Sequence, residues 1–262
     1  MSTFYNRLPQ RSDVEMKAIL VAGGHGSRLH PFTQYTQKTL LPLHQRPVID
    51  YALATIRRAG ITDITIIANQ FVDQIAKHVG QGLPDENIHY VIEETPKGVA
   101  HALRLAQAHN EGVRLMVYFS DNITSMELGE AVAGFKHATT PPGCVLLARE
   151  EANPHAFGVA VLDDEGNVVD VVEKPEDPPS NLAIGGIYLF DEAFWTHLDA
   201  AVDAAGEAFS ISDVTRRYVR AGRVHMLTVG EATWVDCGDP SSLLQASIMA
   251  SQGVFNPHPH RN

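Results

Sequence analysis

The chain has 262 residues, 44% hydrophobic and 19% charged, and this composition predicts a globular protein with a large apolar core. Its 20 Lys and Arg against 31 Asp and Glu give a net charge of -11, which argues against nucleic acid or an anionic membrane as a partner. The two cysteines, Cys144 and Cys237, are far apart in the sequence and argue against a disulfide framework or a zinc site. No segment has the pattern of a signal peptide or a membrane span, so we expect a cytoplasmic protein.

Strands and helices alternate in the hydrophobic pattern of the first half of the chain. Short apolar or β-branched runs predict strands at 17–22, 64–68, 88–92 and 115–119. Apolar residues at helical spacing between them predict helices at 48–59, 71–79 and 98–109. This alternation is typical of an α/β fold, so we expect a three-layer sandwich with helices on both faces of a mixed, mainly parallel sheet.

Strands follow one another more closely beyond residue 140, with few helices between them. They are predicted at 144–148, 159–162, 168–172 and 184–190, so this part is expected to form a smaller β-rich lobe. The pattern ends with helices at 192–204 and 212–221, strands at 225–229 and 233–236, and a helix beginning at Asp239-Pro240. We therefore expect a polar extension at 1–15, a single domain at 16–253 with halves 16–140 and 141–253, and a flexible tail at 254–262.

A glycine-rich loop follows the first predicted strand and contains Ala22, Gly23, Gly24 and Gly26. Backbone N–H groups in such a loop can approach a phosphate, because no Cβ atom is in the way. The loop is not a Walker A motif, since no Lys-Ser/Thr pair follows it, and Pro31 argues against the helix of a dinucleotide fingerprint. On the glycines alone a simple tight turn is an equal alternative. Arg28 and Lys38 favour phosphate binding, because they supply the cations that a polyphosphate needs.

Further motifs follow the glycine loop in order along nearly the whole chain. They are Arg28-Leu29, Lys38 with Leu40-Leu41-Pro42, Arg46-Pro47-Val48-Ile49, Ser120-Asp121-Asn122, Phe157-Gly158-Val159, Glu173-Lys174-Pro175, Ser210-Ile211-Ser212-Asp213 and Trp234-Val235-Asp236-Cys237-Gly238. As an ordered set, these motifs resemble the signature of the sugar-1-phosphate nucleotidyltransferases, and most of all the glucose-1-phosphate thymidylyltransferase type. One motif alone would be weak evidence, whereas the series in this order is specific.

The resemblance implies a Rossmann-like fold whose first half binds a nucleotide and whose second half binds a sugar. The implied reaction is attack of a sugar phosphate oxygen on the α-phosphorus of a nucleoside triphosphate, with release of pyrophosphate. A phosphomonoester has its second pKa near ~6, so the nucleophile needs no general base. The enzyme must instead hold two polyanions together, which in an acidic chain requires local cations.

The resemblance also implies roles for individual residues. Those implied to act in catalysis are Arg28, Lys38, Asp121 and Asp236, of which the two aspartates would bind Mg²⁺. Those implied to bind the nucleotide are Ala22, Gly23, Gly24, Gly26, Glu93 and Gly98. Those implied to bind the sugar phosphate are Gly158, Glu173 and Lys174. Without the resemblance, the aspartates are also consistent with capping a turn or helix, and the Glu-Lys pair with an exposed strand end.

The segment from Glu93 to Gly98 aligns, by the resemblance, with the family's base-recognition segment, in which Gln stands at the first position. A carboxylate only accepts hydrogen bonds, and guanine presents two adjacent donors, N1–H and N2–H₂. We therefore hypothesise that Glu93 shifts the preference from dTTP or UTP towards GTP. The alternative is that Glu93 faces away and the backbone reads the base. The acceptor is left open as glucose-1-phosphate, another hexose-1-phosphate or a cyclitol phosphate, and assembly into a homo-oligomer is also left open.

Two other functions compete with an enzyme of this family. A nucleotide-sugar-binding regulatory subunit could dispense with a cation or a carboxylate, whereas this chain retains Arg28, Lys38, Asp121, Lys174 and Asp236. An NAD-dependent dehydrogenase needs a helix directly after the glycine loop and an acidic residue near the end of the second strand. Pro31 and Asn69 stand at these places, so the sequence argues against a dehydrogenase.

Overall fold

A computed structural model describes residues 15–95 and 97–258 of the chain. The strands are β1 (Met16–Val21), β2 (Pro42–Leu43), β3 (Arg46–Pro47), β4 (Asp63–Ala68), β5 (Asn87–Ile92), β6 (Arg114–Phe119), β7 (Asn122–Thr124), β8 (Cys144–Glu150), β9 (Gly158–Leu162), β10 (Val168–Glu173), β11 (Leu182–Phe190), β12 (Val224–Thr228) and β13 (Trp234–Asp236). The helices are α1 (Val48–Arg58), α2 (Val72–Val79), α3 (Val99–Leu105), α4 (Gln107–Asn110), α5 (Gly129–His137), α6 (Phe194–Ala205), α7 (Ile211–Arg220) and α8 (Pro240–Ser251).

A nine-stranded mixed sheet forms the middle layer. β1 lies between β4 and β6, and β5 extends the sheet beyond β4, with all four strands parallel. β11 runs antiparallel to β6, β8 and β9, while β12 is parallel to β8. With β10 antiparallel to β9, only β10 and β11 run against the other strands of this described sheet. The predicted mixed, mainly parallel α/β sheet is therefore confirmed.

Helices cover both faces of this sheet. Apolar side chains of α1, α2 and α5 pack on one face, which we call the α1 face, with Leu20 and Tyr118 of the sheet. Apolar side chains of α3, α6 and α7 pack on the other, which we call the α3 face, with Ile19 and Val117. Successive strand residues alternate between the two faces, and both faces are buried, which explains the continuous apolar run over residues 18–21 of β1. The three-layer architecture follows from this double burial.

Several details differ from the sequence-based prediction. The strands of the β-rich second half, β8 to β12, join the same sheet as the strands of the first half. The helix expected at 98–109 is divided into α3 and α4. Neither α5, which contains two glycines and no capping side chain, nor the three-residue β7 was predicted.

Of the predicted extension and tail, residues 1–14 and 259–262 lie outside the described residues. Phe255, which the prediction placed in the tail, is buried and contacts the ring of Tyr51 edge-on at 6.5 Å. The folded part therefore continues past residue 253. No helix within 15–95 and 97–258 is long and apolar enough to cross a membrane.

Candidate functional site

The glycine loop leaves β1 at the carboxyl edge of the sheet and is fixed by the residues that follow it. The side-chain amide of Gln37 donates to the carbonyl of Ala22 and accepts from the N–H of Lys38 at 2.8 Å. Thr33 Oγ1 donates to the carbonyl of Gly26 at 2.6 Å. Gly26 has a φ of 62°, and a Cβ there would lie 2.9 Å from the Thr33 side chain. A glycine is therefore required at this point, for its backbone and for space.

Lys38 extends back across the loop to the end of β6. A Cβ atom on Gly24 would lie 3.3 Å from Lys38 Nζ, so the ammonium group rests against the loop backbone. The same ammonium group forms an ion pair with the carboxylate of Asp121, the second residue after β6. The two side chains are only 15% and 16% exposed. The loop, its cation and one predicted metal ligand therefore meet at one place.

A small separate sheet brings Asp236 to Asp121. β13 pairs antiparallel with β7, and this register sets Asp236 opposite Asn122. The N–H of Cys237 donates to the carbonyl of Asp121 at 2.7 Å, which continues the pairing. Two carboxylates that are more than 100 residues apart in the sequence thus become neighbours. The sequence predicted the strand at 233–236 but gave no sign of its partner.

The charge balance around these aspartates is unusual. Burial, and next the charge of Asp121, raises the pKa of Asp236 to about 6, although Lys38, the N–H of Gly238 at 2.8 Å and Arg28 oppose the shift. A Cβ on Gly238 would lie 2.5 Å from a guanidinium nitrogen of Arg28, so that side chain passes directly over the turn. Two carboxylates compete for few cations here, and the site can accept further positive charge.

This donor set fits Mg²⁺. The ion prefers hard oxygen ligands and usually takes only one or two carboxylates from the protein, with water and phosphate completing its coordination. Among residues 15–95 and 97–258 there is no cluster of three or more His, Cys, Asp or Glu side chains suited to a metal. Asp121 and Asp236 together supply the two carboxylates that such a site needs.

Asn122 links both aspartates to the rest of the fold, and its role was not predicted. Its Nδ2 donates to Asp121 Oδ1 at 3.0 Å. Its Oδ1 accepts from Trp234 Nε1 at 2.9 Å and from the N–H of Gly186 at 3.2 Å. A Cβ on Gly185 would lie 2.0 Å from the indole of Trp234. The Gly-Gly pair inside a predicted strand was the available signal, since glycine in a strand marks close approach of another group.

A cavity of about 270 Å³ opens beside the glycine loop on the α3 face. It is lined by Val21, Gly23, Gly24, His25, Lys38, Glu93, Gly98, Val99, Ala102, Phe119 and Asp121. Glu93 is only 3% exposed, and its Oε2 would lie 3.3 Å from a Cβ on Gly23. Its Oε1 lies 3.1 Å from the N–H of Lys97 and 3.1 Å from Nδ1 of His101. Glu93 therefore faces the cavity, contrary to the alternative that it points away.

The three residues predicted to bind a sugar phosphate form a second group on the same face. Gly158 pairs with Glu173 across β9 and β10. Ser212 of α7 donates from Oγ to the carboxylate of Glu173 at 2.6 Å. A Cβ on Gly158 would lie 2.9 Å from Ser212 Oγ. Lys174 has a φ of 44°, and its backbone N–H donates a hydrogen bond to the carbonyl of Phe157 at 2.9 Å. Its side chain is 65% exposed, with Nζ 3.7 Å from the Glu173 carboxylate.

Aromatic side chains connect the two groups. Phe119, which lines the small cavity, packs edge-on against Tyr188 at 6.3 Å between ring centroids. Burial raises the pKa of Tyr188 well above its usual value, and the nearby charge of Glu173 adds to the shift. Tyr188 therefore contacts the cavity wall and is close enough to Glu173 for its charge to act on the phenol. Of the predicted site residues, Gly158, Glu173 and Asp236 lie at strand ends, Arg28 and Lys38 lie in the three-residue helices Ser27–Leu29 and Lys38–Leu40, and the others lie in loops.

A larger cavity of about 870 Å³ lies on the α1 face, behind β13. Its lining includes Arg28, Arg149, Phe157, Trp234 and Asp236. The guanidinium group of Arg149 lies 5.1 Å above the ring of Phe157. The Phe157 ring thus lines this cavity, whereas a Cβ on Gly158, the next residue, would face Ser212 of α7. Arg28 and Asp236 are the predicted site residues that this cavity contains.

The family model and the similar proteins all belong to the nucleotidyltransferases. The family model described as Nucleotidyl transferase matches residues 17–252. A low-salt glycan biosynthesis nucleotidyltransferase of Haloferax volcanii and a glucose-1-phosphate thymidylyltransferase of Streptomyces griseus are each 33% identical to this chain, over 88% of it and 65% of their own length. A glucose-1-phosphate thymidylyltransferase of Mycolicibacterium smegmatis is 32% identical, over 88% of this chain and 81% of its own.

Solved structures agree with these relatives. A putative glucose-1-phosphate thymidylyltransferase from Bacillus anthracis superimposes with a TM-score of 0.84 at 30% identity, covering 90% of this chain and 95% of that one. A UDP-glucose pyrophosphorylase bound to UDP-glucose has a TM-score of 0.80 at 20% identity, covering 92% of this chain and 100% of that one. At that identity the second likeness shows the fold alone. The chain spans 65% of the length of the archaeal and S. griseus relatives.

Proposed function

Because the chain belongs to the sugar-1-phosphate nucleotidyltransferase family, we propose that it transfers a nucleotidyl group from a nucleoside triphosphate to a sugar phosphate and releases pyrophosphate. The observation that carries this proposal is the convergence of Lys38, Asp121 and Asp236 at the mouth of the glycine loop. A nucleotide-binding subunit without catalysis would have no need of this buried charge cluster.

The residues at the loop act by position and charge. The glycine loop offers backbone N–H groups to the triphosphate, and Lys38 and Arg28 lower the repulsion between the two phosphate groups. No general base is required, since the acceptor phosphate is largely ionised at neutral pH. Holding both reactants in line near fixed charges supplies most of the rate enhancement.

Mg²⁺ is part of the proposal. Asp121 and Asp236 would hold it, and the bound ion would neutralise charge on the triphosphate. The raised pKa of Asp236, caused by burial and next by the charge of Asp121, supports this assignment, because a bound cation would offset both effects.

The acceptor is proposed to bind at the second group. Lys174 would pair with the acceptor phosphate and Glu173 would accept from a sugar hydroxyl. The missing side chain at Gly158 leaves room for the Ser212 hydroxyl, which donates to Glu173. The acceptor class is a hexose-1-phosphate or a cyclitol phosphate, and the donor is GTP, dTTP or UTP. A cytoplasmic location and self-association are further predictions.

The test is pyrophosphate release from a panel of triphosphates and sugar phosphates. We expect release with at least one pair in the presence of Mg²⁺, and its loss in Asp121→Asn and Lys38→Ala. Asp164→Asn and Lys77→Ala are matched controls, since both side chains are exposed on a turn and on α2. Activity retained in the first two variants would contradict the assigned roles. Tight binding of a nucleotide sugar without any pyrophosphate release would favour the regulatory subunit instead.

A further inference from the structure

The two carboxylate oxygens of Glu93 have different surroundings. Oε1 accepts from the N–H of Lys97 and contacts Nδ1 of His101, both at 3.1 Å. Oε2 lies on the side of Gly23, one of the residues that line the small cavity. The side chain of Glu93 is almost fully buried, so neither oxygen can turn freely to water. The carboxylate therefore has a fixed orientation before any ligand binds.

The contact with His101 identifies the proton involved. A carboxylate oxygen can only accept a hydrogen bond, so His101 must carry a proton on Nδ1, as the neutral Nδ1–H tautomer or as the imidazolium. A carboxylate oxygen has two lone-pair sites. The N–H of Lys97 and Nδ1–H of His101 occupy both sites on Oε1. Oε2 is the oxygen left to accept from a base.

This occupancy changes the expectation drawn from the sequence. The predicted match to guanine needs both carboxylate oxygens, one for N1–H and one for N2–H₂. An imide edge, as in uracil and thymine, presents one N–H between two carbonyl groups and needs a single acceptor. With Oε1 occupied, guanine would bring its second donor to an oxygen that is already saturated. A buried donor without a partner is costly, so guanine becomes the poorer ligand.

We infer that His101 is a specificity-determining residue: by occupying one oxygen of Glu93, it restricts the base site to a single N–H donor and favours uracil or thymine over guanine. The inference rests on the proposed function, since it concerns the nucleotide of that reaction. His101 lies on the first turn of α3 and its side chain is 36% exposed, so it can be replaced without opening the core.

The experiment compares the wild-type protein with His101→Leu and His101→Asn. Leucine removes the hydrogen-bond donor and is similar in size to histidine. Asparagine places an amide N–H near the position of Nδ1 and serves as the conservative control. For each protein, kcat/KM is measured with GTP, UTP and dTTP, using a sugar phosphate that supports pyrophosphate release. Kd values for GMP and UMP, measured by calorimetry, give a second readout that does not depend on turnover.

The wild type is expected to prefer UTP or dTTP. His101→Leu should raise the ratio of kcat/KM for GTP to kcat/KM for the better pyrimidine nucleotide by about tenfold or more, because it frees the second acceptor of a bidentate base contact. His101→Asn should keep the wild-type ratio. A wild type that prefers GTP, or ratios that stay within twofold in His101→Leu, would overturn the inference while leaving the proposed function intact. If no triphosphate yields pyrophosphate, the proposed function fails, and the GMP to UMP binding ratio still decides the role of His101.

Discussion

The nucleotide end and the acceptor end of the candidate site hold their cations differently. Lys38 is 15% exposed, rests on the glycine loop and is paired with Asp121. Lys174 is 65% exposed and lies 3.7 Å from its nearest carboxylate. The first cation is fixed before the substrate arrives, whereas the second can follow the acceptor phosphate. Damage at the nucleotide end should therefore lower the rate, and damage at the acceptor end should mainly weaken acceptor binding.

Lys38→Met is expected to give the largest effect. It removes a fixed charge from the place where negative charge must be held, so kcat should fall by about 1,000-fold. The measurement is pyrophosphate release at saturating substrates, with Lys77→Met as the exposed control. A loss of less than about tenfold would mean that the nucleotide end is not preorganised in this way.

Asp236→Asn should stabilise the metal-free protein while abolishing turnover. Burial and the charge of Asp121 raise the pKa of Asp236 from 3.8 to about 6, so its ionisation costs stability in the folded state. The folded form is favoured most below pH 3.8, and this advantage is lost as the pH rises through about 6. Removing the charge should therefore add up to about 3 kcal/mol at pH 8 and almost nothing at pH 3.5.

Thermal unfolding in the presence of a chelator measures this difference at both pH values. Asp164→Asn, on an exposed turn, should leave the unfolding temperature unchanged at either pH. Equal shifts for Asp236→Asn at pH 3.5 and pH 8 would point to altered packing rather than to charge.

Lys174→Met should act on the acceptor alone. Because Lys174 is proposed to pair with the acceptor phosphate, its loss should raise the KM for the sugar phosphate by roughly 10- to 100-fold and leave the KM for the triphosphate unchanged. Steady-state kinetics with each substrate varied in turn gives the two KM values separately. A parallel rise in both constants would remove the distinction between the two ends.

Gly158→Ala is expected to have the smallest effect. Its new methyl group would lie 2.9 Å from Ser212 Oγ, so the hydroxyl must move away from Glu173 and the KM for the acceptor should rise by roughly three- to tenfold. Ser212→Ala gives the matched variant, because it removes the same hydrogen bond without crowding. The double variant should be no worse than Ser212→Ala, and additive losses would show that the two residues act independently.

Residue patterns revealed the order of strands and helices and most of the candidate site, because strand ends, glycine loops and charged residues follow local rules. They missed features that arise only when distant segments meet. β7 is three residues long and has no recognisable period, so its pairing with β13 could not be predicted. The surroundings of Glu93 include His101, eight residues later on a helix, and no local pattern predicted that contact.

The sheet of β7 and β13 has a consequence for engineering. Asp236 is the last residue of one strand of a two-stranded ribbon that is separate from the nine-stranded sheet, and Asp121 directly precedes the other strand of that ribbon. Gly158 and Glu173 of β9 and β10 belong to the large sheet instead. A designer who wishes to broaden the range of accepted sugars can therefore vary Gly158 and its neighbours without touching the strands that set the spacing of the two carboxylates. Conversely, a change at Trp234 would remove its hydrogen bond to Asn122 and disturb the two neighbouring aspartates together, so this position should be left unchanged.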